Sequence, residues 1–315
     1  MFTLRKYSKR RRAWALSGAL AAALALSSCA TGSAAYNDSL KDLDEFAPLA
    51  PGGTLYITID VPAARPILDA VDLSMMRNMN KKRVAQILDR TRSAVAAYYP
   101  ENAPRRFQAA ARGAYPKARA NTAFFFDGAW KKQTSEIGDS YWHSARDKMS
   151  VSLSNDRAFV SDGDPFTPRP GALSPADFGD FRRGVVLAGW IENAAEPINR
   201  FLASLGLPIE IPAGRTLFAV HEAGGFYQGT IRMETPSESH ARALAAIVGM
   251  ARLFMPAPAP LEGRDLTPTD LAATLFANPP AQDGVYLTMR TGDLSAAGAA
   301  LLFSQFSVYS TQNKP

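Results

Sequence analysis

One cysteine, Cys29, stands in 315 residues. With no second thiol, no disulfide can form within the chain, and stability has to come from a packed core. Histidine is nearly as scarce, at three residues: His143, His221 and His240. None is spaced from another as in His-x-x-x-His, so the sequence carries no metal-ligand pattern. A Gly-x-Ser-x-Gly elbow, a Walker loop and a dinucleotide glycine pattern are missing too. No motif for nucleophilic catalysis or for cradling phosphates remains. The expectation is therefore no catalytic residue, no metal and no cofactor. Nor does any apolar run reach the ~20 residues that a spanning helix needs.

What is present begins at the N-terminus. Arg5, Lys6, Lys9, Arg10, Arg11 and Arg12 form a basic head without an acid, and Ala13 to Leu26 follows as a charge-free stretch rich in Ala and Leu. This is the layout of an export signal, with a positive n-region and a short apolar h-region. Leu26-Ser27-Ser28-Cys29 comes next. The tetrad resembles the lipobox of bacterial lipoproteins, with Ser28 where Gly or Ala is commoner. The resemblance implies cleavage after residue 28, a lipid-modified (palmitate-type) Cys29 and attachment to a membrane of the cell envelope. Two or three acyl chains bury enough methylene groups for stable anchoring. Ala30 follows the cysteine where an aspartate would signal retention, which favours the outer membrane over the inner in a cell with two membranes.

Cleavage there changes the charge balance. The whole chain has 35 Lys+Arg against 29 Asp+Glu, but six of the cations lie before Cys29. The mature chain is formally neutral, which removes the global support for a nucleic-acid partner. Its start reads as a flexible tether, residues 29–51, with small residues first and then Asp38, Asp42, Asp44 and Glu45.

Beyond the tether two stretches match. Thr54 to Asp60 reads as a strand and Ala63 to Leu68 as a helix start. Gly184 to Ile191 and Ala194 to Ile198 repeat that plan, with Gly53, Ala63, Pro66 and Ile67 aligned on Gly184, Ala194, Pro197 and Ile198. Pro66 and Pro197 are expected in early turns, whose N–H groups lack intrahelical partners. Further on, Phe107-Gln108 aligns with Tyr227-Gln228. Each of these follows another strand, Ser93 to Tyr99 and Thr216 to His221, across a proline or glycine joint, which predicts a hairpin in each half. Thr235-Pro236-Ser237-Glu238 predicts a capped helix start, followed by an apolar face of Leu244, Ile247, Val248, Ala251, Phe254 and Met255.

The reading is α+β: two tandem split βαβ (ferredoxin-like) halves with mainly antiparallel sheets. The first spans 52–164 and the second 184–306. A proline-rich linker covers 165–183, and a polar tail covers 307–315. In the first half, Met149, Val151 and Leu153 alternate with serines and Arg157 to Ser161 returns as a partner strand. That alternation puts Ser150, Ser152 and Ser154 on a solvated face. Asp162-Gly163-Asp164 reads as a turn, because Pro165-Phe166 follows at once where a calcium loop would continue with oxygen ligands. Phe124-Phe125-Phe126 and Tyr98-Tyr99 are expected in the core, with a binding role as the alternative.

The functional expectation is a lipid-anchored cell-envelope protein with a non-enzymatic binding or assembly role. Its partners would be the membrane, through Cys29, and an envelope protein, with no nucleic acid. A solute-binding lipoprotein of a transporter fits the length and the anchor, but the antiparallel hairpins argue against the parallel βαβ lobes usual there. A periplasmic hydrolase has no motif in its favour.

Overall fold

The computed structural model describes residues 45–71, 81–166, 173–196, 198–199, 210–255 and 268–301. In chain order the elements are β1 (Leu55–Asp60), α1 (Val61–Ala70), α2 (Lys81–Leu88), β2 (Thr91–Tyr98), β3 (Phe107–Gly113), α3 (Lys117–Phe126), β4 (Trp130–Thr134), β5 (Ser140–Ser144), β6 (Met149–Leu153) and β7 (Arg157–Ser161). Then come α4 (Phe178–Phe181), β8 (Val185–Ile191), β9 (Thr216–Ala223), β10 (Phe226–Glu234), α5 (Glu238–Phe254), α6 (Pro268–Leu275), β11 (Ala281–Asp283) and β12 (Tyr286–Arg290). The protein is α+β with antiparallel strand pairing. Among the described residues no helix is long and apolar enough to cross a membrane. Cys29, Pro197 and the tail 307–315 lie outside the described residues.

Contacts divide the chain into two units, and the division does not follow the tandem halves. Residues 45–53 belong with 81–166, whereas 54–71 belong with the chain from Ser174 onward. The reason is strand pairing. β1 lies antiparallel against β8, with Ile57 opposite Gly189, and the first elements of the first half are thereby built into the second unit.

In the first unit the strand order is β2-β3-β7-β6-β5-β4. β2 and β3 form the expected hairpin, with Tyr98 opposite Phe107. β6 and β7 form the other, with Leu153 opposite Ala158. One face carries the core: Phe107, Phe124, Trp130, Met149, Val151 and Val160. The Phe124 ring sits 4.6 Å from that of Trp130.

In the second unit the order is β11-β12-β10-β9-β8-β1. β9 and β10 meet through Gly224 and Gly225, at φ 62° and 86°. Positive φ at both positions is what a two-residue hairpin turn requires. One apolar cluster joins Ala64 and Ile67 of α1 to Val186, Val220 and Tyr227. Another joins Ile211, Met233 and Leu287 to Leu244 and Val248 of α5. A side chain at Gly189 would meet the carbonyl of Tyr56 and the ring of Phe218, so this strand position admits only glycine without displacing its neighbours.

Several expectations are corrected. A split βαβ unit sets its first and third strands side by side and parallel. Here β8 pairs antiparallel with β9, and β9 with β10, as a simple meander. The segment 45–50, read as tether, is folded: Phe46 and Leu49 are fully buried and Leu49 N–H donates to the Phe46 carbonyl at 2.8 Å. The linker contains α4, whose Phe178 is buried. Pro66 lies inside α1 beyond its first turn. The cap of α5 is Ser237, which accepts from His240 N–H, while the Thr235 hydroxyl donates to the Val285 carbonyl at 2.8 Å.

Candidate binding surfaces

The helix α5 is apolar on more than the face that the core uses. Its inner side places Ala241, Leu244 and Val248 in the core. Its outer side presents Ile247, Met250, Leu253 (78% exposed) and Phe254 (88% exposed). Positions 247, 250 and 254 follow the i, i+3, i+7 spacing of one helical stripe, so this is a second apolar stripe rather than scattered surface residues. Ile247 and Phe254, read from the sequence as one apolar face with Leu244 and Val248, are exposed because one helix side cannot bury so many apolar residues at once.

A smaller apolar group sits at the end of α3. Phe124 turns into the core, as expected, but Phe125 (72% exposed) and Phe126 (79% exposed) do not. Their rings meet edge to face, with centroids 5.4 Å apart at 84°. Successive helical residues point about 100° apart, so three consecutive phenylalanines cannot share one buried face. Tyr98 and Tyr99 both turn inward. Tyr98 packs against the first unit's core, and burial holds its phenol above the ordinary tyrosine range. Tyr115 is pushed up to about 12 by burial, opposed by a hydrogen bond with the Thr91 hydroxyl.

The other sequence candidates have structural work. The Asp162 carboxylate accepts from the backbone N–H of Arg106 at 3.0 Å and so closes the start of β3. Asp164 accepts from Phe166 N–H at 2.9 Å. Both belong to a turn. Ser150 is fully buried, contrary to the solvated face expected for it, and lies 3.0 Å from His143 Nδ1. The chain returning through Phe166 explains this, because its ring packs on Phe159 and Tyr141 of the same sheet face. A buried hydroxyl paired to an imidazole offers no accessible nucleophile. His240 is held by Ser237 at 2.7 Å. Among the described residues no group of three or more His, Cys, Asp or Glu is placed to hold a metal ion.

His221, on β9, titrates below the ordinary histidine range, first because it is partly buried and second because the Arg290 guanidinium disfavours a second cation. The unfolded chain therefore binds the proton first as pH falls through about 6.5. The associated stability is present above that value and is lost toward the lower folded value. In NMR titrations the His221 ring should protonate below 6.5, and Arg290→Gln should move its midpoint upward. A midpoint that ignores the substitution would remove Arg290 as a cause.

Gln108 is the residue that the sequence did not mark out. Its amide is fully buried and all its hydrogen-bonding capacity is used. Oε1 accepts from Ala50 N–H at 2.8 Å and from the Tyr99 hydroxyl at 3.0 Å. Nε2 donates to the carbonyls of Pro48 at 3.1 Å and Pro165 at 2.9 Å. Its counterpart in the repeat, Gln228, also fastens a passing segment, through Asp293 at 2.6 Å. The repeated aromatic-glutamine pair was the available signal.

Comparison with solved structures places this architecture. The fold is similar to that of TP0453. Crystal form III of TP0453 gives a TM-score of 0.55 at 16% identity, over 84% of this chain and 99% of that chain. Crystal form IV gives 0.55 at 16%, over 84% and 97%, and form I gives 0.54 at 15%, over 84% and 98%. At such identity the likeness to TP0453 is one of fold alone. No family model matches the sequence, and no match is found among curated proteins.

Proposed function

We propose that this is a lipid-anchored protein of the bacterial cell envelope, held through Cys29 and acting by binding or assembly rather than by catalysis. The observation that carries the binding role is the outer stripe of α5, where Met250, Leu253 and Phe254 face solvent together. Single exposed apolar side chains are ordinary, whereas a contiguous group of this kind marks an interaction surface. The partner is an envelope protein that covers this stripe. The antiparallel meander of β8, β9 and β10 supports this reading over a solute-binding lipoprotein, whose lobes are built on parallel βαβ crossovers. The two matched halves derive from one β-α-β-β-α plan, in which Ile67 and Ile198 both turn toward apolar clusters.

A photo-crosslinking residue at Met250 of the intact lipoprotein, in its own cells, should give one discrete adduct. The same residue at Arg242, an exposed position of the same helix, should give none, and Phe254→Ser should weaken the Met250 adduct severalfold. Equal labelling at both positions, or indifference to Phe254→Ser, would count against α5 as the binding surface.

A further inference from the structure

Residues 45–50, read from the sequence as part of the tether, are packed and bonded. Residues 45–50 do not run freely from the tether into β1. Phe46 and Leu49 are fully buried, and a tight turn closes between them. The backbone on both sides of Leu49 is then bonded to one side chain: the Pro48 carbonyl receives Gln108 Nε2–H and the Ala50 N–H reaches Gln108 Oε1. The one proton of the Tyr99 hydroxyl is shared between Gln108 Oε1 and the Ala50 carbonyl, each 3.0 Å away. Gln108 also holds the Pro165 carbonyl, so one amide ties β3 to two chain segments about sixty positions away on either side. A buried amide with every donor and acceptor paired is rigid, and losing its partners leaves polar groups stranded in the core.

We propose that residues 45–50 are a strap locked by Gln108, which transfers the pull of the tether to β2 and β3 before it can reach β1. A force applied at residue 44 meets the Gln108 and Tyr99 bonds and the buried Phe46 and Leu49 first. β1 starts only at Leu55, beyond the strap. β1 pairs with β8 and supplies Tyr56 to the second unit's core, so peeling it from its N-terminal end would open that core. The strap isolates it from such peeling. The direction of the load rests on anchoring at Cys29, but the lock itself does not.

The test uses the full mature chain. Hydrogen exchange at the Leu49 and Ala50 amides and chymotrypsin cleavage after Phe46 or Leu49 report strap opening; exchange at Val151 and Val160 reports opening of the first unit as a whole. Gln108→Leu should speed exchange and cleavage in the strap at least tenfold while Val151 and Val160 keep their protection. Tyr99→Phe, a milder change that removes one hydroxyl, should act in the same direction by a smaller factor. Unchanged strap exchange in both variants would overturn the proposal, and so would Val151 and Val160 opening in step with the strap. If Gln108→Leu does not fold, Tyr99→Phe decides by the same two criteria. An unmodified Cys29 would leave the lock standing and remove only its load.

Discussion

Replacing Trp190 by alanine is expected to cost about 3–5 kcal/mol of stability, the usual range for deleting a large buried aromatic side chain. Trp190 is fully buried in β8. Its ring stacks on Tyr56 of β1, with centroids 4.6 Å apart at 16°, and meets Phe178 of α4 edge-on at 4.9 Å and 67°. Its indole N–H donates to Glu192 at 2.8 Å, and Glu192 in turn pairs with Arg215 at 2.9 Å. The substitution therefore removes the aromatic contacts that Tyr56 of β1 and Phe178 of α4 make on β8, besides opening a cavity. For a protein of this size the melting midpoint should fall on the order of 10 °C. Trp190→Phe keeps most of the ring and should cost far less, which separates packing from the indole hydrogen bond. Urea unfolding of both variants checks the claim; an alanine variant within 1 kcal/mol of wild type, on the order of normal surface substitutions, would contradict it.

Trp190 also shows what the sequence could convey. Its strand was plain from a run of β-branched and aromatic residues bounded by Gly184 and Glu192. That strand's partners were not. The order β-α-β-β-α-β fits both a split βαβ unit and a meander, because spacing records how many residues lie between strands and not which way the connection crosses the sheet. The hairpins were legible because their joints are local, as Gly224 and Gly225 illustrate.

The misread positions have causes that lie far away in sequence. Phe46 and Leu49 sit among alanine and proline in a segment too short for periodicity, and the bonds that fix the backbone on either side of Leu49 come from Gln108 and Tyr99, which are distant in sequence. Ser150 alternates with apolar residues as a solvated strand residue would, and its burial comes from a sheet face on which His143 pairs with it and the Phe166 ring packs on Phe159 and Tyr141. The balance of charge over residues 29–315, by contrast, is a property of the sequence and needs no structure. The apolar residues of α5 were visible in the sequence, but periodicity grouped Ile247 and Phe254 on one face with Leu244 and Val248, and only packing separates the buried side from the exposed one.

Cys29→Ala is expected to have the largest effect on location. Without the thiol no diacylglycerol can be attached, and the protein should move almost wholly from the membrane fraction to the soluble fraction of the envelope. Urea unfolding of the Cys29→Ala variant beside wild type reports any effect on stability separately from the change in location. Mass spectrometry of the N-terminal peptide of protein purified from membranes tests the anchored account most directly. The account predicts a peptide that begins at Cys29 and carries a thioether-linked diacylglycerol. A peptide that retains residues before Cys29, or one that carries Cys29 as a free thiol, would contradict it.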